Sequence, residues 1–141
     1  MTNRHHASRQ YLAAKVEGGD TLHRVTLLHE GAARFTREAI RHIESRNFEP
    51  AHEAFVKAKR IVLHLLSSIP DTDDTKLAAD LRGLFQYACD RLIDANLHKD
   101  PEAARCALGV LRNLAEGWST LDTQRRTAPA GAERRSRALV V

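Results

Sequence analysis

The sequence predicts an all-α protein: an antiparallel up-down-up-down four-helix bundle with a short N-terminal arm and a disordered basic C-terminal tail. Apolar residues recur at spacings of three and four over four long stretches, which places each set on one helix face. No alternating run of β-branched residues indicates a strand. Hydrophobic residues make up 43% of the chain but aromatic residues only 5%, a composition typical of a bundle core of leucine, alanine, isoleucine and valine.

The first two predicted helices are joined by a short polar turn. The first helix is expected over about residues 21–45, with Asp20 and Thr21 as candidate N-caps. Its apolar stripe comprises Val25, Leu28, Ala32, Phe35, Ala39 and Ile43. Asn47 is a candidate cap for the second helix, and Pro50 suits its first turn. The second stripe comprises Ala51, Phe55, Ala58, Val62, Leu65 and Ile69.

The third and fourth predicted helices form an αα-hairpin over residues 77–118. Pro70 ends the preceding helix, and Asp73, Asp74 or Thr75 caps the third one. Asp100 followed by Pro101 marks the start of the fourth helix. The third stripe is expected to comprise Leu77, Leu81, Leu84, Ala88, Leu92 and Ala95. The fourth is expected to comprise Ala104, Ala107, Leu111, Leu114, Trp118 and Leu121.

The composition predicts three segments along the chain. Residues 1–19 are polar, end in a glycine pair and are expected to form a flexible arm, whereas residues 20–121 carry the bundle. Residues 122–141 are expected to be a disordered tail, because this segment is rich in arginine, alanine, threonine and proline without periodicity. The positive net charge lies mostly in this tail, so nucleic acid is not expected to be the main partner of the folded part.

The sequence carries no pattern that indicates catalysis, so we expect neither an enzyme nor a bound cofactor. It has no nucleotide-binding glycine motif and no nucleophile elbow. No two of the eight histidines stand three or four residues apart, so no metal site is expected on one helix, and a ligand set assembled from different helices stays open. The two cysteines are expected to be reduced thiols. Together with the lack of an apolar span or secretory signal, they predict a cytoplasmic protein.

Apolar residues away from the four stripes are the candidate partner-binding positions. They comprise Leu27, Val56, Leu63, Ile93, Leu97, Leu108 and Val110. Apolar residues on several outer faces favour grooves for a partner's amphipathic helix, and scattered surface residues are the alternative. Tyr11 in the arm either docks onto the bundle or contacts a partner. The glycines within predicted helices are either tolerated at a cost or leave shallow surface for another chain: Gly31, Gly83, Gly109 and Gly117.

These residues carry a resemblance to the flagellar export chaperone family, FliS, over about residues 11–121. The stretch LFQYACDRLIDANLHKD resembles the family pattern at Leu84, Tyr87, Leu92, Ala95, Asn96 and Asp100. Further matching positions are Tyr11, Leu28, Glu30, Gly31, Ala32, Leu114 and Trp118. The stretch from Ser45 to Leu66 is similar in its spacing. The chain departs from the pattern at Asp20-Thr21, Arg24, His29 and Phe85, the last two standing where tyrosine is usual.

The resemblance implies a cytoplasmic type III export chaperone that binds the disordered C-terminal segment of flagellin in a 1:1 complex. Such a protein prevents premature polymerisation of flagellin and delivers it to a membrane protein of the flagellar export gate. Some family members also bind an anti-sigma factor or another flagellar regulator. In this family the N-terminal tyrosine, here Tyr11, docks near the groove and can be displaced. The alternative is a helical adaptor that binds nucleic acid or acidic surfaces through residues 122–141.

Overall fold

The computed structural model describes residues 19–127 and places them in four α-helices. These are α1 Gly19–Glu44, α2 Phe48–Ser67, α3 Lys76–His98 and α4 Pro101–Thr127. Each helix packs against its neighbours in the chain, and α4 also packs against α1, so the four helices surround one core. Short connections make successive helices antiparallel, which confirms the predicted all-α up-down-up-down bundle. Most of the predicted arm and tail, residues 1–18 and 128–141, lies outside the described residues.

The two turns at one end of the bundle each contain a residue in the left-handed conformation. Arg46, with φ 58°, ends α1, and Lys99, with φ 50°, ends α3. Asn47 does occupy the N-cap position of α2, but its side chain makes no capping hydrogen bond. Its backbone N–H instead donates to the carbonyl of His42 at 2.8 Å. Asp100 behaves as predicted, because its carboxylate accepts a 2.9 Å hydrogen bond from the backbone N–H of Glu102.

The connection between α2 and α3 is held by side-chain hydrogen bonds to the backbone. Of the three candidate caps, Thr75 caps α3 by accepting a 3.2 Å hydrogen bond from the N–H of Ala78. Asp73 in turn accepts a 2.7 Å hydrogen bond from the Thr75 hydroxyl. Arg82 donates to the carbonyl of Pro70 at 2.7 Å and also to the carbonyl of Asp73. The acidic loop is therefore a capping structure.

The apolar stripes of α1 and α2 enter the core largely as predicted. All six residues of the second predicted stripe are buried, although Ile69 lies just beyond the end of α2, and Phe55 is among the largest side chains that are almost fully enclosed. On α1, Leu28 and Phe35 are only partly buried. The Arg34 guanidinium and the Lys57 ammonium lie 5.1 Å and 5.5 Å from the Phe35 ring centroid and shield this ring from solvent.

The predicted stripes of α3 and α4 are wrong at three leucines. Leu77, Leu84 and Leu121 are 63%, 37% and 49% exposed. On α3 the core is instead reached by Ala78, Leu81, Phe85, Ala88, Cys89, Leu92 and Ala95. Leu81, Ala88, Leu92 and Ala95 reach the core as predicted, but the centre of the buried stripe is shifted toward Ala78, Phe85 and Cys89. Apolar residues adjoin the predicted stripe on that side, so spacing alone did not fix its centre. The larger Phe85 side chain occupies the core in place of Leu84.

Two predicted helix ends also differ from the structure. α1 begins at Gly19, so Asp20 and Thr21 lie inside its first turn and do not precede it as caps. Asp20 and Thr21 are the second and third residues of α1, where the backbone N–H groups have no partner within the helix. α4 continues to Thr127, six residues beyond the predicted end at Leu121, because Asp122 is buried against α1.

Candidate partner-binding surface

Helix α3 presents apolar side chains to the core and also on both of its flanks. Leu77 and Leu84 are exposed on one flank, and Ile93 and Leu97 on the other, with Leu97 74% exposed. A helix that is apolar all round is normally buried on all sides. Here only α2 and α4 pack along α3, so both flanks remain open within the described residues. These flanks are therefore the leading candidates for contact with another chain.

The first flank is the α2–α3 face, which comprises Phe48, Val56, Leu63, Ile93 and Leu97. The register is set by Asn96, whose side-chain amide lies 2.9 Å from Nδ1 of His52. Val56 follows His52 by one turn and Ile93 precedes Asn96 by about one turn, so the two lie near each other across the antiparallel pair. Phe48, Leu63, Ile93 and Leu97 are each between 45% and 74% exposed. The result is an apolar strip that runs along both helices.

Polar groups accompany this strip at one end. The Asn96 amide nitrogen donates to His52, which places the His52 proton on Nε2, and the Asn96 oxygen accepts a 2.6 Å hydrogen bond from Lys99.

Lys59 lies close enough to Cys89 for its charge to lower the thiol pKa. Burial is nonetheless the largest effect and leaves the pKa of Cys89 raised overall. The strip thus combines apolar contact area with groups able to orient a bound peptide.

The second flank is the α3–α4 face, which comprises Leu77, Leu84, Tyr87, Val110, Leu114 and Leu121. Tyr87 and Cys106 lie near each other across the two helices, and their interaction raises the pKa of the Tyr87 hydroxyl. The antiparallel arrangement then brings Leu77 level with Gly117. A methyl group added at Gly117 would have no other atom within 4 Å, so the surface beside Leu77 is shallow.

The structure separates the seven candidate residues within its bounds into four locations. Val56, Leu63, Ile93 and Leu97 come together on the α2–α3 face. Val110 lies partly buried on the α3–α4 face, and Leu108 lines a cavity between α1 and α4. Leu27 is 51% exposed on α1, the helix diagonally opposite α3, so it lies away from the other candidates. Tyr11 lies outside the described residues.

Several exposed residues of these faces were absent from the sequence-based candidates. Phe48 was placed in the turn before α2, and Leu77, Leu84 and Leu121 were assigned to the core. One signal could have found Leu77 and Leu84. The third helix carries more apolar residues than a single stripe accommodates, so some of them had to lie at the surface.

A cluster of three rings holds α1, α3 and α4 together beneath these faces. His29 is 1% exposed, and its ring centroid lies 5.6 Å from that of Phe85 and 5.8 Å from that of Trp118. Its Nδ1 donates to the carbonyl of Val25 at 2.8 Å, and its Nε2 accepts from the Trp118 indole at 3.2 Å. The buried histidine is thereby in its neutral form and serves as a structural link.

Within 19–127, no group of three or more His, Cys, Asp or Glu residues is arranged to hold a metal ion. None of the four helices is both long and apolar enough to cross a membrane.

Comparison with known proteins identifies relatives over most of the chain. Residues 3–125 match the family described as flagellar protein FliS. The chain is 29% identical to the flagellar secretion chaperone FliS of Salmonella typhimurium (strain LT2) over 98 residues, 69% of this chain and 73% of the relative. It is 27% identical to the protein of the same description from Escherichia coli (strain K12), over 67% of this chain and 70% of the relative. The corresponding Bacillus subtilis (strain 168) protein is 25% identical, over 65% and 68%.

Proposed function

This chain belongs to the FliS family of flagellar proteins, and on that premise we propose that it is the export chaperone of flagellin. Relatives described as flagellar secretion chaperones support a chaperone role in flagellar export. In our proposal the client is the disordered C-terminal segment of flagellin, bound as a 1:1 complex in the cytoplasm. The chaperone keeps this segment from polymerising and passes it to a membrane protein of the export gate.

The observation that carries the proposal is the apolar surface on both flanks of α3. An amphipathic segment that is disordered when free can fold as a helix against such a strip and cover its exposed side chains. The α2–α3 face and the α3–α4 face each have the length of several helical turns, so each can hold one helical part of the client. A client that follows both faces gains affinity from area while it loses entropy on folding, which favours release at the gate.

Four of the predicted contacts belong to the first of these faces. Leu63, Ile93 and Leu97 are exposed, and Val56 closes the strip between them. Val110 belongs to the second face. We further propose that Tyr11, as in the family, occupies part of the client-binding surface in the free protein and is displaced when the client binds.

The test is the replacement of single exposed residues of the α2–α3 face, one on each helix. Ile93→Asp and Leu63→Asp, at positions 46% and 45% exposed, place a charge where the client's apolar stripe would lie. Each change should weaken binding of a peptide from the flagellin C-terminus by at least about tenfold, because a central apolar contact is typically worth more than about 1 kcal/mol. Isothermal titration calorimetry measures both the affinity and the expected 1:1 stoichiometry.

Leu27→Asp is the matched control, because Leu27 is 51% exposed and lies on the helix diagonally opposite α3. Circular dichroism should show unchanged helicity in all three variants. If Ile93→Asp and Leu63→Asp bind the peptide as the unaltered protein does, the α2–α3 face is not the client site. Weakened binding in Leu27→Asp would instead extend the site to α1, as the sequence predicted.

A further inference from the structure

A groove with a basic rim lies between α1 and α4, on the side of the bundle opposite the α2–α3 face. It contains a cavity of about 470 Å³. Its lining comprises Arg37, Ile40, Arg41, Glu44, Arg105, Leu108, Gly109 and Arg112. Because the helices pack in the ring order α1, α2, α3, α4, a molecule in this groove would not cover the α2–α3 face.

The charge of this groove is only partly compensated by the protein itself. Arg105 is paired with Glu44 at 3.2 Å and also with Glu102. Among residues 19–127, no carboxylate lies within ion-pair distance of Arg37, Arg41 or Arg112. All three of these arginines are exposed. Their positive charges therefore remain available to an incoming group.

The floor of the groove is apolar, in contrast to its rim. Ile40 is only 7% exposed and Leu108 is partly buried against the core. Gly109 adds no side chain to the wall, and a methyl group built there would have no other atom within 4 Å. An occupant that fits such a groove has an apolar side chain flanked by negative charges, because that arrangement satisfies both the floor and the rim.

We propose that this groove binds an acidic, amphipathic segment of a second partner protein while the client occupies the α2–α3 face. The chain's own termini do not suit it, because residues 1–18 carry Arg4, Arg9 and Lys15 against Glu17. Residues 128–141 likewise carry three arginines against one glutamate. A second copy related by twofold symmetry would set arginines against arginines. A nucleic-acid backbone would pair with the rim but would gain nothing from the apolar floor.

The experiment uses a fluorescent peptide of about 16 residues with leucines at helical spacing and glutamate at most other positions, so that a helix formed on binding is amphipathic. A second peptide, in which glutamine replaces every glutamate, is the control ligand. The full-length protein, first saturated with the flagellin C-terminal peptide, is titrated against each peptide by fluorescence anisotropy. We expect binding of the glutamate peptide only, with an affinity that falls as salt is raised from about 50 to about 300 mM.

Two double variants locate the site. Arg37→Glu/Arg112→Glu reverses two unpaired rim charges and leaves the Arg105 ion pairs and the last turn of α1 unchanged. It should weaken the glutamate peptide by at least about tenfold and leave flagellin-peptide binding unaltered. Arg24→Glu/Arg60→Glu makes the same change of charge at exposed positions on α1 and α2 outside the groove. It should weaken the glutamate peptide by less than about twofold.

The inference is overturned if the glutamine peptide binds as tightly, since apolar contact alone would then suffice. Equal weakening by the two double variants would also overturn it, because a diffuse surface charge would explain the binding. Efficient displacement of the glutamate peptide by a single-stranded oligonucleotide would identify a nucleic-acid surface instead. If the unaltered protein does not bind the flagellin peptide, the proposed function is refuted. The second site is not, because binding of the glutamate peptide is measured separately.

Discussion

Two residues that depart from the family pattern contact each other in the core. His29 and Phe85 stand where the resemblance expects tyrosines, and their rings lie 5.6 Å apart. The Val25 carbonyl can only accept a hydrogen bond, so His29 carries its proton on Nδ1 and presents Nε2 to Trp118. The two departures thus pack against each other beneath the α3–α4 face, and the four-helix bundle is retained.

The two cysteines should differ strongly in thiol reactivity. Cys89 is 3% exposed, and burial raises the pKa of its thiol, so both access and thiolate content are low. Cys106 is exposed on α4. An aromatic disulfide reagent releases one aromatic thiolate for each protein thiol that attacks it. At neutral pH the native protein should liberate one equivalent rapidly, through Cys106, and a second equivalent only after denaturation.

Cys106→Ser is the control for this assay and should abolish the rapid phase. Rapid release from the Cys106→Ser protein would contradict the burial of Cys89. Because Cys106 lies next to Tyr87, the rapid phase should also slow when the flagellin peptide is bound, provided that the client covers the α3–α4 face as proposed.

At the scale of the helices, the spacing of apolar residues located every helix but set the rotation of only some of them. The α2 stripe was predicted except for Ala54, because the apolar residues of this helix occupy one side except for a few outer positions. In α3 an apolar residue stands beside nearly every core position, so Leu84 and Phe85 were equal candidates from spacing alone. Packing against α2 and α4 places the Phe85 ring in the core and leaves Leu84 exposed.

Substitution of Gly117 tests whether this glycine is merely tolerated within a helix or is needed for binding of the client. It lies within α4, where alanine is favoured over glycine by about 1 kcal/mol, and a methyl group would meet no neighbouring atom. Gly117→Ala should therefore raise the free energy of unfolding in urea by about 0.5–1 kcal/mol. Gly83→Ala, in the equally open position on α3, is the control for the helix effect.

The client distinguishes these two glycine variants. If the surface beside Leu77 receives the client closely, Gly117→Ala should bind the flagellin peptide more weakly than Gly83→Ala does, although both are stabilised. Equal binding by the two variants would mean that Gly117 is merely tolerated. A loss of stability in both would show that the open space around these positions is not available.

The last turns of α4 are held by a polar contact rather than by the apolar stripe. Asp122 is 6% exposed, and its carboxylate lies 2.9 Å from His23 on α1 and 3.4 Å from Arg126. A chain that ends at Leu121 loses this contact and should unfold at a lower urea concentration, by an amount equivalent to about 1–3 kcal/mol. A chain that ends at Thr127 retains it and should match the full-length protein. Equal midpoints for the two truncated chains would show that Asp122 adds no stability.

At the scale of the whole molecule, the bundle exposes two surfaces of different chemistry on opposite sides. The α2–α3 face is mainly apolar, whereas the α1–α4 groove has an arginine rim. Under the two proposals, the client and the second partner bind to separate surfaces and do not compete for space. The α3–α4 face lies between these two surfaces. It shares α3 with the α2–α3 face and α4 with the α1–α4 groove.

The chain that ends at Thr127 also tests the alternative function at this scale. It lacks residues 128–141, with three of the five arginines in the predicted tail, but keeps the whole of α4. As a chaperone it should bind the flagellin peptide with unchanged affinity in calorimetry, because both faces of α3 are intact. An adaptor that works through its tail would lose binding to nucleic acid, and the strong salt dependence of that binding would be lost with it.

The sequence by itself determined the helix number, the antiparallel order, the Asp100 cap of α4 and most of the core face of α2, because helical spacing, capping chemistry and short connections are local properties. It also carried the family resemblance, since that rests on residue types and gaps. Only the tertiary structure decided which apolar residues of α3 are covered, how far α4 extends, and which of the candidates lie together. Those outcomes depend on the rotation and register of helices against one another, which residues distant in sequence decide: His52 with Asn96, and His23 with Asp122.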